Sequence, residues 1–203
     1  MNYSKLKVVM IGDSNVGKSS IATRASDNYF DPEKLETVGS DIITLTKESE
    51  GKKVDLVIWD TAGQERFKSL SNYYMKDSGA VIIVYAINDS SFNSVDEWFE
   101  RANDTLADRN PYFILVGNKN DLYDTNENEN GNFISESEGR NKADALGIDF
   151  LSVSALTGDS INEIFENIAS YYFNKIKQED IENGANHTVD ITESACDAKK
   201  SCC

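Results

Sequence analysis

The octapeptide Gly12-Asp13-Ser14-Asn15-Val16-Gly17-Lys18-Ser19 constrains this chain more than any other stretch. It follows an apolar run, Val8-Val9-Met10-Ile11, and precedes a segment that can wind into a helix. Glycine, four residues, glycine, lysine and then serine or threonine is the pattern of a phosphate-binding loop. Its glycines let the backbone curl so that successive N–H groups converge at a helix N-terminus and form an anion nest. Lys18 adds a point charge for the outer phosphates, and the Ser19 hydroxyl is placed to ligate Mg²⁺. With glycine at about 7% of residues, a chance match in a chain this long is roughly a one-per-cent event. A nucleotide site is expected here, with ATP the default ligand for such a loop taken alone.

Apolar runs and helical periods alternate along the rest of the chain. Residues 5–11 read as a buried strand and 17–26 as the helix after the loop. Residues 28–40 show no clean period and read as an exposed loop. Ile42–Lys47 and Val54–Trp59 flank a Gly51-containing turn, which predicts an antiparallel hairpin. Further strands are expected at Val81–Tyr85, Phe113–Val116 and Phe150–Val153. Between them, Ser94 with Glu97, Ser135 with Glu138 and Ser160 with Glu163 carry capping-box spacing and predict three helix starts. Trp98 lies on the apolar face of the first of these helices, and Ile161, Ile164, Phe165, Ile168 and Tyr172 line the last. Both stripes read as core. Strands alternating with helices indicate an α/β fold, a doubly wound, mostly parallel six-stranded sheet with one antiparallel edge strand. Ligands in such sheets sit beyond the carboxyl ends of the strands, where the opening loop lies.

Composition narrows the partners. The formal net charge is −15, which opposes a polyanion, so nucleic acid is not expected as a ligand. A triphosphate must then be held by a few focused donors. No window approaches 18 consecutive apolar residues, and the N-terminus has neither a signal-peptide core nor Gly at position 2, so a cytosolic chain is expected. The three cysteines, Cys196, Cys202 and Cys203, leave none for a core disulfide or zinc site. Asp124 to Asn132 is almost wholly Asn, Glu, Asp and Gly and reads as a surface insertion, and from about Lys177 the apolar period stops, predicting a disordered tail.

Two more motifs decide the nucleotide. Asp60 ends the strand Leu56-Val57-Ile58-Trp59 and opens Asp60-Thr61-Ala62-Gly63-Gln64. An Asp beside a phosphate loop can hold Mg²⁺, although alone it is equally a strand-ending turn residue. Asn118-Lys119-Asn120-Asp121 follows another strand. A carboxylate such as Asp121 can accept two parallel hydrogen bonds from guanine's ring N–H and amino group, a donor pair that adenine lacks. Ser154-Ala155-Leu156 completes the set.

With these residues in view, the chain resembles the Ras superfamily of small GTPases and, within it, the Rab family. The resemblance covers residues 5 to about 175 with one insertion, and the segment Trp59 to Phe67 and the pair Tyr73-Tyr74 look Rab-like. It departs at Val38-Gly39-Ser40-Asp41-Ile42, at Ala25 and at Lys76-Asp77-Ser78. The resemblance implies that Ser14, Asn15, Val16, Gly17, Lys18, Ser19 and Ser20 surround the phosphates of GTP or GDP. Ser19 and Thr37 would ligate Mg²⁺, with Asp60 holding it through water. Gly63 would bring a backbone N–H to the terminal phosphate, and Gln64 would orient the attacking water. Phe30 would lie edge-on to the guanine, with Lys119 covering the ring. Asn118, Asp121, Ser154 and Leu156 would complete the base side, where the Ala155 N–H meets the guanine carbonyl oxygen. Ile42, Trp59 and Tyr74 would form the effector surface. Expected partners are an exchange factor, a GAP, effectors, and a prenylation escort or GDI-type chaperone, around a monomer.

The resemblance divides the chain into a G domain over 1–176 and a variable tail over 177–203. Cysteine four residues from the end would signal a C-a-a-X box, but that position is Lys200. The terminal Cys202-Cys203 looks instead like a Rab signal for double geranylgeranylation. One lipid anchors marginally and two stably. Residues 177–203 carry three lysines against six acids, so electrostatics add little and both lipids are expected to be needed. The implied function is a GTP-hydrolysing switch in membrane traffic, cycling between cytosol and the cytoplasmic face of an endomembrane or the plasma membrane. A recruitment module that hardly hydrolyses and an ATP-using kinase of the same loop class are the alternatives.

Overall fold

The computed structural model describes residues 3–32, 40–49, 51–61, 68–124 and 133–193, with backbone alone over 68–71 and 179–193. Thr37, Gly63, Gln64, Cys196, Cys202, Cys203 and most of the Asp124–Asn132 stretch lie outside the described residues.

The six expected strands are β1 (Tyr3–Ile11), β2 (Ser40–Ser49), β3 (Lys52–Thr61), β4 (Ala80–Ala86), β5 (Tyr112–Asn118) and β6 (Asp149–Ser152). They form one sheet in the order β2-β3-β1-β4-β5-β6. Only the β2–β3 hairpin is antiparallel, with Ile42 opposite Trp59. The β1–β3, β1–β4, β4–β5 and β5–β6 pairs are parallel. The order reverses at β1, between β3 and β4, and that switch point is where such sheets open a ligand crevice.

Alternation along β1 sends Leu6, Val8 and Met10 to one core and Val9 and Ile11 to the other. On the first face, α1 (Lys18–Asp27) contributes Ile21 and Ala22, and α5 (Ile161–Glu193) contributes Ile161, Ile164, Phe165, Ile168 and Phe173. The second face is covered by α2 (Lys68–Met75), α3 (Val95–Thr105) and α4 (Glu136–Leu146), through Met75, Val95, Trp98, Ala102 and Ala143. Strands buried on both sides explain the continuous apolar runs of β1 and β4.

The three serine–glutamate pairs behave differently. Ser135 forms the full capping box, accepting from the Glu138 N–H while the Glu138 side chain takes the Ser135 N–H. The Ser135 hydroxyl and N–H both bond that carboxylate and hold its pKa below the ordinary value. Ser94 makes no cap bond, because its own backbone is helical at φ −87° and ψ −5° rather than extended, and its hydroxyl donates to Asp13 Oδ2 at 2.8 Å. Asp96 and Glu97 in the first turn of α3 complement the helix dipole without it. Ser160 is left-handed at φ 54°, whereas a capping residue is typically extended. α5 continues past Lys177 to Glu193. No proline follows Pro111 to break the backbone ladder of that helix.

Phe165 is fully buried where α5 covers the sheet. Replacing it with alanine should destabilise the fold by about 3–5 kcal/mol, read as a lower urea midpoint with unchanged slope.

Candidate functional site

The loop after β1 needs backbone that only small or special residues supply. Gly12 stands at φ 140°, and a Cβ there would lie 2.1 Å from the Val84 carbonyl oxygen of β4. Asn15 and Gly17 are also left-handed, at φ 62° and 95°. A Cβ on Gly17 would meet the Asn118 amide nitrogen at 2.2 Å. The octapeptide is therefore pressed between β4 and the end of β5. Gly17 precedes α1 without a side-chain cap, and the first turn of α1 holds no acidic residue, so its dipole end suits an anion.

Lys18 is 5% exposed and curls back over the loop, its ammonium donating to the Gly12 and Asp13 carbonyls at 2.8 and 2.7 Å. Burial lowers its pKa to about 8, against the opposing pull of the Asp60 and Asp13 carboxylates. Phosphate oxygens would stabilise the ammonium and raise that value again. Asp60 is buried at the end of β3, opposite Met10 of β1 and Asp41 of β2. Thr61 anchors the strand end by donating to the Met10 carbonyl at 2.7 Å.

On the other side of the loop, Asn118 ends β5 with 1% exposure. Its amide donates to the Val16 carbonyl at 2.8 Å, and its side-chain oxygen accepts from the Ala155 N–H at 3.1 Å. The Ala155 N–H is already engaged within the protein, because Asn118 brings an acceptor to it. Lys119 is left-handed at φ 71°, and the following Asn120 N–H bonds the Val153 carbonyl at 3.0 Å. The Ser154 hydroxyl donates to Asp121 Oδ1 and accepts from the Thr157 N–H at 3.1 Å. Arg24 of α1 donates to the carbonyls of Ala155, at 2.9 Å, and Leu156.

A pocket of about 200 Å³ opens between these two halves. Asn15, Gly17 and Ser20 line it from the loop side, and Asn118, Lys119 and Asp121 from the other. Phe30, Leu122, Ala155 and Leu156 complete the lining. Among the described residues, the expected phosphate-side and base-side groups are thus adjacent. Sequence reasoning missed Leu122, the Arg24 contacts and the partners of Asp13; an Asp just inside the loop and an indole N–H on a core helix were the only signals.

The expected effector residues also come together. Ile42 is 55% exposed opposite Trp59, and Trp59 lies 6.0 Å from Tyr74, ring to ring. Tyr73 is 71% exposed and packs edge-on against Tyr74, while the Lys7 ammonium sits 4.5 Å from the Trp59 ring.

A left-handed glycine loop at a sheet switch point, followed by a helix and joined to a second loop, is the class of site found in nucleotide-binding α/β proteins. Comparison with known proteins narrows the class. The Ras family profile matches residues 7–174. Ras-related protein SEC4 of Saccharomyces cerevisiae is 34% identical over 98% of this chain and 91% of its own length. GTP-binding protein ypt2 of Schizosaccharomyces pombe is 38% identical over 81% of this chain and 79% of its own. Ras-related protein Rab-8B of Dictyostelium discoideum is 35% identical over 98% and 93%. The chain belongs to the Ras family of small GTPases, in its Rab branch, and is a GTPase.

Asn118→Ala should show how far the site depends on the bridge. It would leave the buried Val16 carbonyl and Ala155 N–H without that partner, costing about 2 kcal/mol in stability. The expected result is a lower melting temperature together with weaker guanine nucleotide binding by titration.

Proposed function

We propose that this GTPase is a membrane-anchored switch that alternates between GTP- and GDP-bound forms in vesicle or membrane traffic. The observation that supports it best is the Asn118 bridge, which ties the phosphate loop at Val16 to the base-side loop at Ala155. Phosphates and a purine would then find their partners in one pocket. Ser14 to Ser20 would surround the phosphates, with the Lys18 ammonium against the outer ones. Asp121 would accept from guanine's ring N–H and amino group, while Lys119 and Phe30 flank the ring. The Ala155 N–H would share its proton between Asn118 and the guanine carbonyl oxygen as a three-centre bond.

The donor set fits Mg²⁺, a hard cation that takes oxygen ligands: the Ser19 hydroxyl, the buried Asp60 carboxylate and, outside the described residues, Thr37. When bound, the ion would neutralise charge between the phosphates. Gln64 would orient water for in-line attack, and Gly63 and Thr37 would tie their segments to the terminal phosphate. Hydrolysis would release both segments, altering the surface of Ile42, Trp59 and Tyr74 offered to effectors. Among the described residues no arginine lines the pocket, and a GAP would supply one, worth about 10³–10⁵ in rate. An exchange factor would reload the site, and an escort or GDI-type chaperone would shield the lipids of this monomer in the cytosol. The G domain would span 1–176, and the tail, 177–203, would carry geranylgeranyl groups on Cys202 and Cys203. Among the described residues no helix is long and apolar enough to cross a membrane; lipids would supply the attachment.

Three outcomes test this reading. Asp121→Asn should exchange guanine for xanthine nucleotide preference, because an amide matches xanthine's ring N–H and its carbonyl; unchanged GTP preference in competition binding would remove Asp121 from the base site. Gln64→Leu should slow single-turnover GTP hydrolysis by about ten- to a hundredfold while leaving GTP affinity near wild type. Cys202→Ser should move the protein substantially into the soluble fraction of cells, since one lipid holds marginally. Full membrane retention of that variant would contradict the two-lipid anchor.

A further inference from the structure

Asp13 has no direct role in the nucleotide reading beyond lying within the loop, yet both of its carboxylate oxygens are taken by the helix layer. Oδ1 accepts from the Trp98 indole N–H and Oδ2 from the Ser94 hydroxyl, each at 2.8 Å. The donors lie 85 and 81 residues along the chain. The backbone carbonyl of the same Asp13 accepts from Lys18 Nζ at 2.7 Å. One residue therefore has α3 on its side chain and the phosphate-loop lysine on its main chain. Trp98 is fixed by its packing with the core around Val95, Ala102 and Leu106, so its N–H is directional. The Ser94 hydroxyl donates to Asp13 and makes no cap bond on its own helix. Hydrogen bonds to a carboxylate are stronger than neutral ones.

We propose that Trp98 and Ser94 are positioning residues for nucleotide retention, holding the Asp13 carboxylate and, through the Asp13 carbonyl, fixing the Lys18 ammonium against the phosphates. The proposal rests on the guanine-nucleotide reading of the loop. It makes α3 part of the nucleotide-holding machinery, although no residue of α3 is among those lining the pocket. Two hydrogen bonds at the loop's outer side thus set how long the ligand stays.

The test is release of fluorescent GDP from the full-length, Mg²⁺-loaded protein, chased with excess GDP, alongside thermal melting of the same samples. Trp98→Phe keeps an aromatic ring in the core and removes the N–H. Release should be about tenfold faster in Trp98→Phe and in Asp13→Ala. The double variant should release no faster than Asp13→Ala alone, since both changes break one connection. Asp13→Asn keeps an oxygen for the indole and an amide for Ser94, and should restore most of the retention. Wild-type release from Trp98→Phe, even with a lowered melting temperature, would reduce the indole to packing and overturn the proposal, as would additive acceleration in the double variant. If Trp98→Phe does not fold, Ser94→Ala is read in the same way: faster release supports the connection and unchanged release overturns it. A wild-type protein that retains ATP but not GDP would sink the guanine reading alone, and the series would be run with ATP. Retention of no nucleotide would end both.

Discussion

The amide of Asn118 is the interaction on which the site depends. It is buried at the end of β5, and each end of its side chain serves a different loop. The carbonyl of Val16 and the N–H of Ala155 come from opposite ends of the chain and would otherwise have no reason to share a register. A hydrophobic residue at 118 would fill the space but satisfy neither group. Gly17 has to be glycine partly on the same account, because Asn118 occupies the volume a Cβ would need. Loop geometry and bridge are one constraint seen from two sides.

The sheet is what makes that bridge possible. β1 and β5 both deliver their carboxyl ends to the same edge, with β4 between them and buried throughout. Packing on both faces leaves those strands little freedom to shift, so hydrogen bonds at their ends hold fixed distances. The chain carries a net charge of −15, so under the proposed function anion binding would fall to the α1 N-terminus, the loop N–H groups and Lys18.

Much of this was legible in the residues. The apolar runs Val8–Ile11 and Val81–Tyr85 read as strands because burial on both faces leaves no room for polar alternation. The Gly51 turn named the hairpin for a similarly local reason. The Ser-x-x-Glu spacing was a weaker guide: it describes a bond between neighbours and says nothing of the backbone conformation that the fold imposes at the cap. Ser135 has an extended backbone and caps its helix, while Ser94 is already helical and does not. Trp98 was readable as core from its period, but the partner of its N–H was not, because a three-dimensional neighbour leaves no periodic trace. The apolar stripe of α5 reports what the helix packs on, not where its own ladder stops, so the end of the helix at Glu193 leaves no mark in the sequence.

The buried ammonium of Lys18 has a consequence for the protein as a material. A cation held at 5% exposure among carbonyls is a standing cost to the empty fold, and an anionic ligand relieves it. Binding to the folded chain alone then adds stability that grows with the logarithm of free ligand. The cargo of the loop is in that sense also a part of its scaffolding, and a cell depleted of it would hold a softer protein, more open to proteolysis, rather than merely an idle one.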